Sequence, residues 1–171
     1  PEVTAALQPN AHSALLGLVE AMQLQGKDSE AVAHLETLLD RQADDPVALA
    51  SYAELVLCTE DRSRWQRVVE LTALVGNETV IHTAVLLLRG KALVKLGMDH
   101  AAEGVFTTAL RRTKDRADTL LREIRYQRAL VFERLGKRVQ ARRELERVYA
   151  EDPGFEDVAQ RLGVKAVASS V

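Results

Sequence analysis

The sequence predicts an all-α protein of about four consecutive helix pairs closed by a further helix at the C-terminus. Three observations carry this expectation. Apolar residues recur at i, i+3, i+4 and i+7 along nearly the whole chain, and no segment alternates with the period of two that a half-buried strand needs. Alanine, leucine, glutamate and arginine dominate, which is a helix-forming composition, and 47% apolar residues suffice for a core. Finally, a short set of small and bulky residues occurs twice at the same offsets. In Thr83–Arg116 it is Gly90, Leu93, Leu96-Gly97, Ala102, Phe106 and Ala109-Leu110. In Arg122–Phe155 it is Ala129, Phe132, Leu135-Gly136, Ala141, Leu145 and Val148-Tyr149, closing on Asp152-Pro153.

Caps and breakers order the elements. Asn10 is read as the cap of a helix over 11–25, ended by Gly26, and Asp28 as the cap of a second over 29–42. Asp45-Pro46 supplies a cap and a first-turn proline, whose missing N–H costs nothing there. That helix runs to Cys58, which the reading buries as an inert thiol, and Asp61 caps the next over 62–75. Gly76-Asn77 opens a long helix to Leu96, Asp99 caps one through Thr113, and Asp115 precedes another to Leu135. Gly97 and Gly136 end helices, an eighth helix spans 138–150, and Phe155 opens a ninth to Leu162. Residues 1–11 are read as a lead-in, 12–155 as the array, and 156–171 as the closing helix and tail.

The twice-used unit is 34 residues long and resembles the tetratricopeptide repeat. Units then begin at His12, Pro46, Thr83 and Arg122. The second departs from the pattern, with Glu60 for the turn glycine and Trp65 where the family has alanine, and Ala117–Leu121 lengthens the first helix of the fourth. The resemblance implies a right-handed α-α superhelix, or solenoid, that binds proteins and performs no chemistry itself. Small residues let helix backbones approach, and Phe106 and Phe132 fill the wedge between neighbouring pairs.

The resemblance also implies that the first helix of each pair lines a concave groove. Carried over by position, the groove presents Leu16, Glu20 and Gln23, then Ala50, Glu54 and Leu57, then Leu87, Lys91 and Val94, then Tyr126, Leu130 and Glu133. The carboxylate-gripping Lys, Asn and Arg of one subset of the family are replaced by Leu16, Glu20, Ala50 and Glu54. The mixed lining suits a helix or extended segment with apolar anchors and some basic residues.

Catalysis has no visible candidate. His12, His34, His82 and His100 are scattered, Glu30 and His34 give only two donors on one helix face, and no phosphate loop or nucleophile–base pair occurs. No cofactor is expected. Charge is divided instead. Residues 1–85 hold five Lys/Arg against 13 Asp/Glu, a net −8, and residues 86–171 hold 18 against 12, a net +6. Arg138, Arg142, Arg143 and Arg147 form a basic face on one helix. A protein partner, or the acidic half of a second copy, is favoured over nucleic acid, because exposed aromatics and a high isoelectric point are missing. No apolar run is long enough to span a membrane. One cysteine excludes an internal disulfide and suits a reducing compartment, so the expected location is the cytoplasm. The start at Pro1, without methionine, leads us to expect a piece of a longer protein. The sequence therefore reads as a non-enzymatic adaptor or scaffold module, with charge-driven self-assembly and polyanion binding as alternatives.

Overall fold

Eight helices follow one another in a computed structural model that describes residues 24–164 together with Gly17, Ala21 and Met22. They are α1 (Asp28–Arg41), α2 (Pro46–Leu57), α3 (Arg62–Leu71), α4 (Val80–Lys95), α5 (Asp99–Ala109), α6 (Asp118–Arg134), α7 (Arg138–Glu151) and α8 (Val158–Leu162). No strand occurs among the described residues. The expected first helix, and with it His12, Leu16, Glu20 and Gln23, lies outside them, although Gly17, Ala21, Met22 and Leu24 are helical.

Local chemistry sets the boundaries. The Asp45 carboxylate accepts the Val47 and Ala48 N–H groups at 2.9 and 3.4 Å, and Asp61 does the same for Ser63 and Arg64 at 3.0 and 3.3 Å. These bonds satisfy donors that a helix start leaves orphaned. Thr79 caps α4 in a reciprocal box with His82, whose ring nitrogen accepts the Thr79 N–H at 3.3 Å. Asp28 and Asp99, expected as caps, are instead the first residues of α1 and α5, where the helix dipole favours their charge.

Further boundaries differ from the sequence reading, and α5, expected to run through Thr113, ends at Ala109. Helix α3 stops at Leu71, because the Thr72 carbonyl is taken by Arg89 at 2.6 Å and its hydroxyl donates back to Val68 at 2.6 Å. Asn77 opens no helix, for its amide donates to the Thr108 and Ala109 carbonyls at 2.9 and 3.0 Å. It thus closes the end of α5 from 31 residues away. The last helix starts at Val158, since Glu156 has a left-handed φ of 46° that a helix cannot include.

Gly97 and Gly136 end α4 and α6 with φ of 78° and 73°, as the spacing predicts. Each closes the same way: the following N–H (Met98, Lys137) reaches the carbonyl five residues back at 2.9 and 2.8 Å. The second pair has no such glycine. Its turn is held by the Trp65 indole, which donates to the Val56 and Thr59 carbonyls at 3.2 and 3.1 Å. That bond explains the tryptophan at a position where the repeat has alanine.

The pairs α2–α3, α4–α5 and α6–α7 stack as a right-handed tetratricopeptide-like solenoid, with α1 before them and α8 closing the end. Three apolar clusters run through it, around α1–α4, then α4–α6, then α6–α8. Each is completed by the next pair, which is why one pair alone has no core. Ala102 and Ala141 are buried where α5 and α7 meet their neighbours. Phe106 is fully buried with its ring against Gly90, where a Cβ would lie 2.1 Å from Cε1.

Gly90→Ala is therefore expected to destabilise the protein by about 1–3 kcal/mol despite its gain in helix propensity. Gly104→Ala, in α5 with open space around the added carbon, is expected to stabilise by about 0.5–1 kcal/mol. Denaturant melts of the two variants check both signs.

Candidate partner-binding groove

The first helices of successive pairs stand side by side. Helix α2 packs closely on α4, whereas α4 and α6 touch far less. Between them opens a groove of about 600 Å³. Helix α2 contributes Glu54, Leu57 and Cys58, and α4 contributes Ala84, Leu87, Leu88, Lys91, Val94 and Lys95. Helix α6 adds Leu120 and Gln127. The i, i+3, i+4, i+7 spacing of Ala84, Leu87, Leu88 and Lys91 turns one stripe of α4 into the floor.

Most charges around this floor are already neutralised. Lys91 Nζ lies 2.6 Å from Glu123 Oε1 and so ties α4 to α6 across the groove. Lys95 Nζ lies 3.6 Å from Glu60 and stacks 4.5 Å from the centre of the Trp65 ring. The exposed Glu54 carboxylate makes no ion pair with the described residues. The groove is thus apolar at its base, with the Glu54 carboxylate on the α2 wall unpaired among the described residues.

Of the residues carried over from the repeat pattern, the structure brings Glu54, Leu57, Leu87, Lys91 and Val94 together here. Ala50 is buried in the first apolar cluster. Tyr126 is buried and its hydroxyl donates to Asp157 at 2.6 Å, Leu130 packs beside it, and the Glu133 carboxylate accepts from Arg161. Those three serve the closure by α8. The positional reading missed Ala84, Leu88, Lys95, Leu120 and Gln127. Leu120 had a signal, since it lies in the extra residues before the fourth unit. Cys58, expected in the core, is exposed at the groove wall, because α2 ends there and the chain turns away.

The basic residues separate into two groups. Arg122 pairs with Asp152 at 2.7 Å, Arg125 with Glu151 at 2.8 Å, and Arg128 with the buried Glu144 at 2.8 Å. Arg134 reaches Asp99 at 3.1 Å and Lys137 reaches Glu103 at 2.6 Å. Arg138, Arg142, Arg143 and Arg147 are exposed on α7, and among the described residues only Arg142 of the four makes an ion pair, with Glu146 at 2.8 Å. No group of three or more His, Cys, Asp or Glu among the described residues is placed to hold a metal ion. No described helix is long and apolar enough to cross a membrane.

A helical solenoid with a concave apolar groove defines the class, a tetratricopeptide-like array, which is a protein-interaction fold. Solved structures share it. The crystal structure of MamA superposes with a TM-score of 0.70 at 14% identity, over 85% of this chain and 80% of that one. The MamA RS-1 ArsTM double mutant gives 0.68 at 15% identity, over 91% and 84%. No curated protein sequence matches the chain. Residues 7–165 match the family described as T7SS, ESX-1 secretion system protein EccA1, N-terminal domain, and the chain belongs to that family.

Two buried phenols stand on first helices of pairs, Tyr52 on α2 and Tyr126 on α6. Burial, reinforced by the Glu36 carboxylate that accepts its hydroxyl at 3.3 Å, pushes Tyr52 up to about 12. Burial and then the bond to Asp157 raise Tyr126 to about 12. Both folded values exceed the ordinary 10.0, so their stabilising effect is complete below pH 10 and is lost as pH rises towards 12. Alkaline unfolding is expected within that window, with tyrosinate absorbance and loss of helical circular dichroism rising together. Tyrosinate absorbance that completes its rise near pH 10 while the helical signal stays intact would contradict this account.

Proposed function

We propose that the chain is a non-enzymatic protein-interaction module that holds an apolar-anchored helix or extended segment of another protein in the groove of α2, α4 and α6. The observation that carries this is the open apolar floor of Leu57, Leu87, Leu88, Val94 and Leu120, which a partner's side chains would cover. The Glu54 carboxylate, which no described residue pairs, adds a preference for a lysine or arginine in the bound segment. Family membership supports a partner within a type VII secretion system, and the family's description as an N-terminal domain supports a module of a longer protein. Charge-driven self-assembly has a weaker basis than the −8 and +6 halves suggest, because internal pairs consume many of the cations of the second half.

Affinity capture followed by mass spectrometry tests this reading, with Val94→Glu and Leu57→Glu as the discriminating variants. Both positions are only partly buried, so folding should survive within about 1 kcal/mol. A partner bound by the parent protein should lose at least about tenfold in affinity with either variant, measured by calorimetry on the purified pair. A partner indifferent to both variants rules out the groove.

A further inference from the structure

Helix α7 carries a charge pattern that its own fold does not use. Arg122, Arg125 and Arg128 of α6 face carboxylates on α7 and at its C-terminal cap, but the arginines on the outer side of α7 face solvent. Arg138, Arg143 and Arg147 make no ion pair with the described residues. Like charges also stand four apart twice, Arg138 with Arg142 and Arg143 with Arg147, which opposes helix formation in the free protein. Glu146, beside Arg142, is the one acid on this face before the last turn.

The same face offers apolar contacts. Val139 is 75% exposed and lies between the two arginine pairs on the helix circumference, at about 100° per residue. Beside Arg138 and Arg142, a cleft of about 210 Å³ opens between α7 and α8, with Leu145 and Leu162 in its wall. Its one carboxylate, Glu133, is occupied by Arg161. The cleft is the size of one or two side chains.

We propose that this outer face of α7 docks an acidic amphipathic helix of another protein. An apolar side chain of that helix enters the cleft, another covers Val139, and its flanking carboxylates meet Arg138, Arg142 and Arg143. Charge complementarity selects the occupant: an acidic helix removes the like-charge repulsion that the free protein carries. Nucleic acid fits less well, because the aromatic on this side of α7, Tyr149, is packed against the third apolar cluster and does not stand free to stack on a base. The surface lies on a second helix of a pair and is separate from the groove, so it stands or falls independently of the groove reading.

The test uses the full chain and three probes: a synthetic helical peptide with leucines at i, i+4 and i+7 flanked by glutamates, a shuffled peptide of identical composition, and single-stranded RNA of matched charge. Fluorescence anisotropy at about 0.15 M salt reads binding with screening near 8 Å. The amphipathic peptide should bind at least about tenfold more tightly than either other probe. Arg138→Glu with Arg143→Glu, and separately Val139→Asp, should each weaken it by about tenfold or more, while Arg138→Lys with Arg143→Lys should retain it. Circular dichroism checks that each variant remains helical. Equal binding of the shuffled peptide or RNA would mean generic polyanion attraction and overturn the proposal. So would an absence of binding, or self-association of the parent chain that the same variants abolish, which would make the occupant a second copy.

Discussion

Helix pairs in this protein are held in place by close approach at positions where one side has almost no side chain. Gly90 lets the Phe106 ring lie against the α4 backbone, and Ala102 and Ala141 do the same service for α5 and α7. The apolar surface of each pair is then covered by the next, and the three clusters form one continuous stack. A methyl group in the wrong place would separate two backbones rather than fill a void, because an interior packed like a crystal has no slack. The curvature that opens the groove depends on this spacing: α2 sits tightly on α4, and α6 diverges from α4.

Polar groups fix what apolar packing leaves free. Between the third and fourth pairs, Thr83 donates to Asn77 at 2.6 Å, and Arg116 donates to Thr83 at 2.6 Å and to the Asn77 and Glu78 carbonyls. With Asn77 holding the end of α5, this cluster ties the start of α4 to the loop before α6. The loop after α5 carries the arginines that reach back, Arg112 to the Glu78 carbonyl and Arg116 to the Thr83 hydroxyl. Asp115 takes a left-handed φ of 58° within that loop, so the loop is shaped to deliver Arg116.

The fold class, the order of the helices and the two glycine-ended turns were legible because they depend on local patterns: apolar period, caps, and the left-handed residue after a helix. Asn77, Thr72 and Cys58 were misread for a common reason. Each is decided by a partner or a chain direction far along the sequence, and Asn77 resembles any cap until its contacts with Thr108 and Ala109 are known. The groove was legible in part. Positions in the second and third units fall on the shared floor, whereas Tyr126, Leu130 and Glu133 are drawn into closing the array by α8, a short helix with no counterpart in the repeat.

The arginines show how one residue type takes two roles through position alone. On α6, a first helix flanked on both sides, an arginine meets carboxylates of α5 or α7. The Arg128–Glu144 pair is largely withdrawn from water, with side chains 15% and 9% exposed. Desolvation offsets much of the attraction in such a pair, so its main effect is on register: sliding α7 along α6 would strand a buried charge. On α7 the inner face is used by Glu144, Leu145 and Val148, and the outer arginines are exposed among the described residues. Among the described residues, arginines there gain no carboxylate across an interface and no apolar cover, so position alone separates a charge that fixes register from one left facing water.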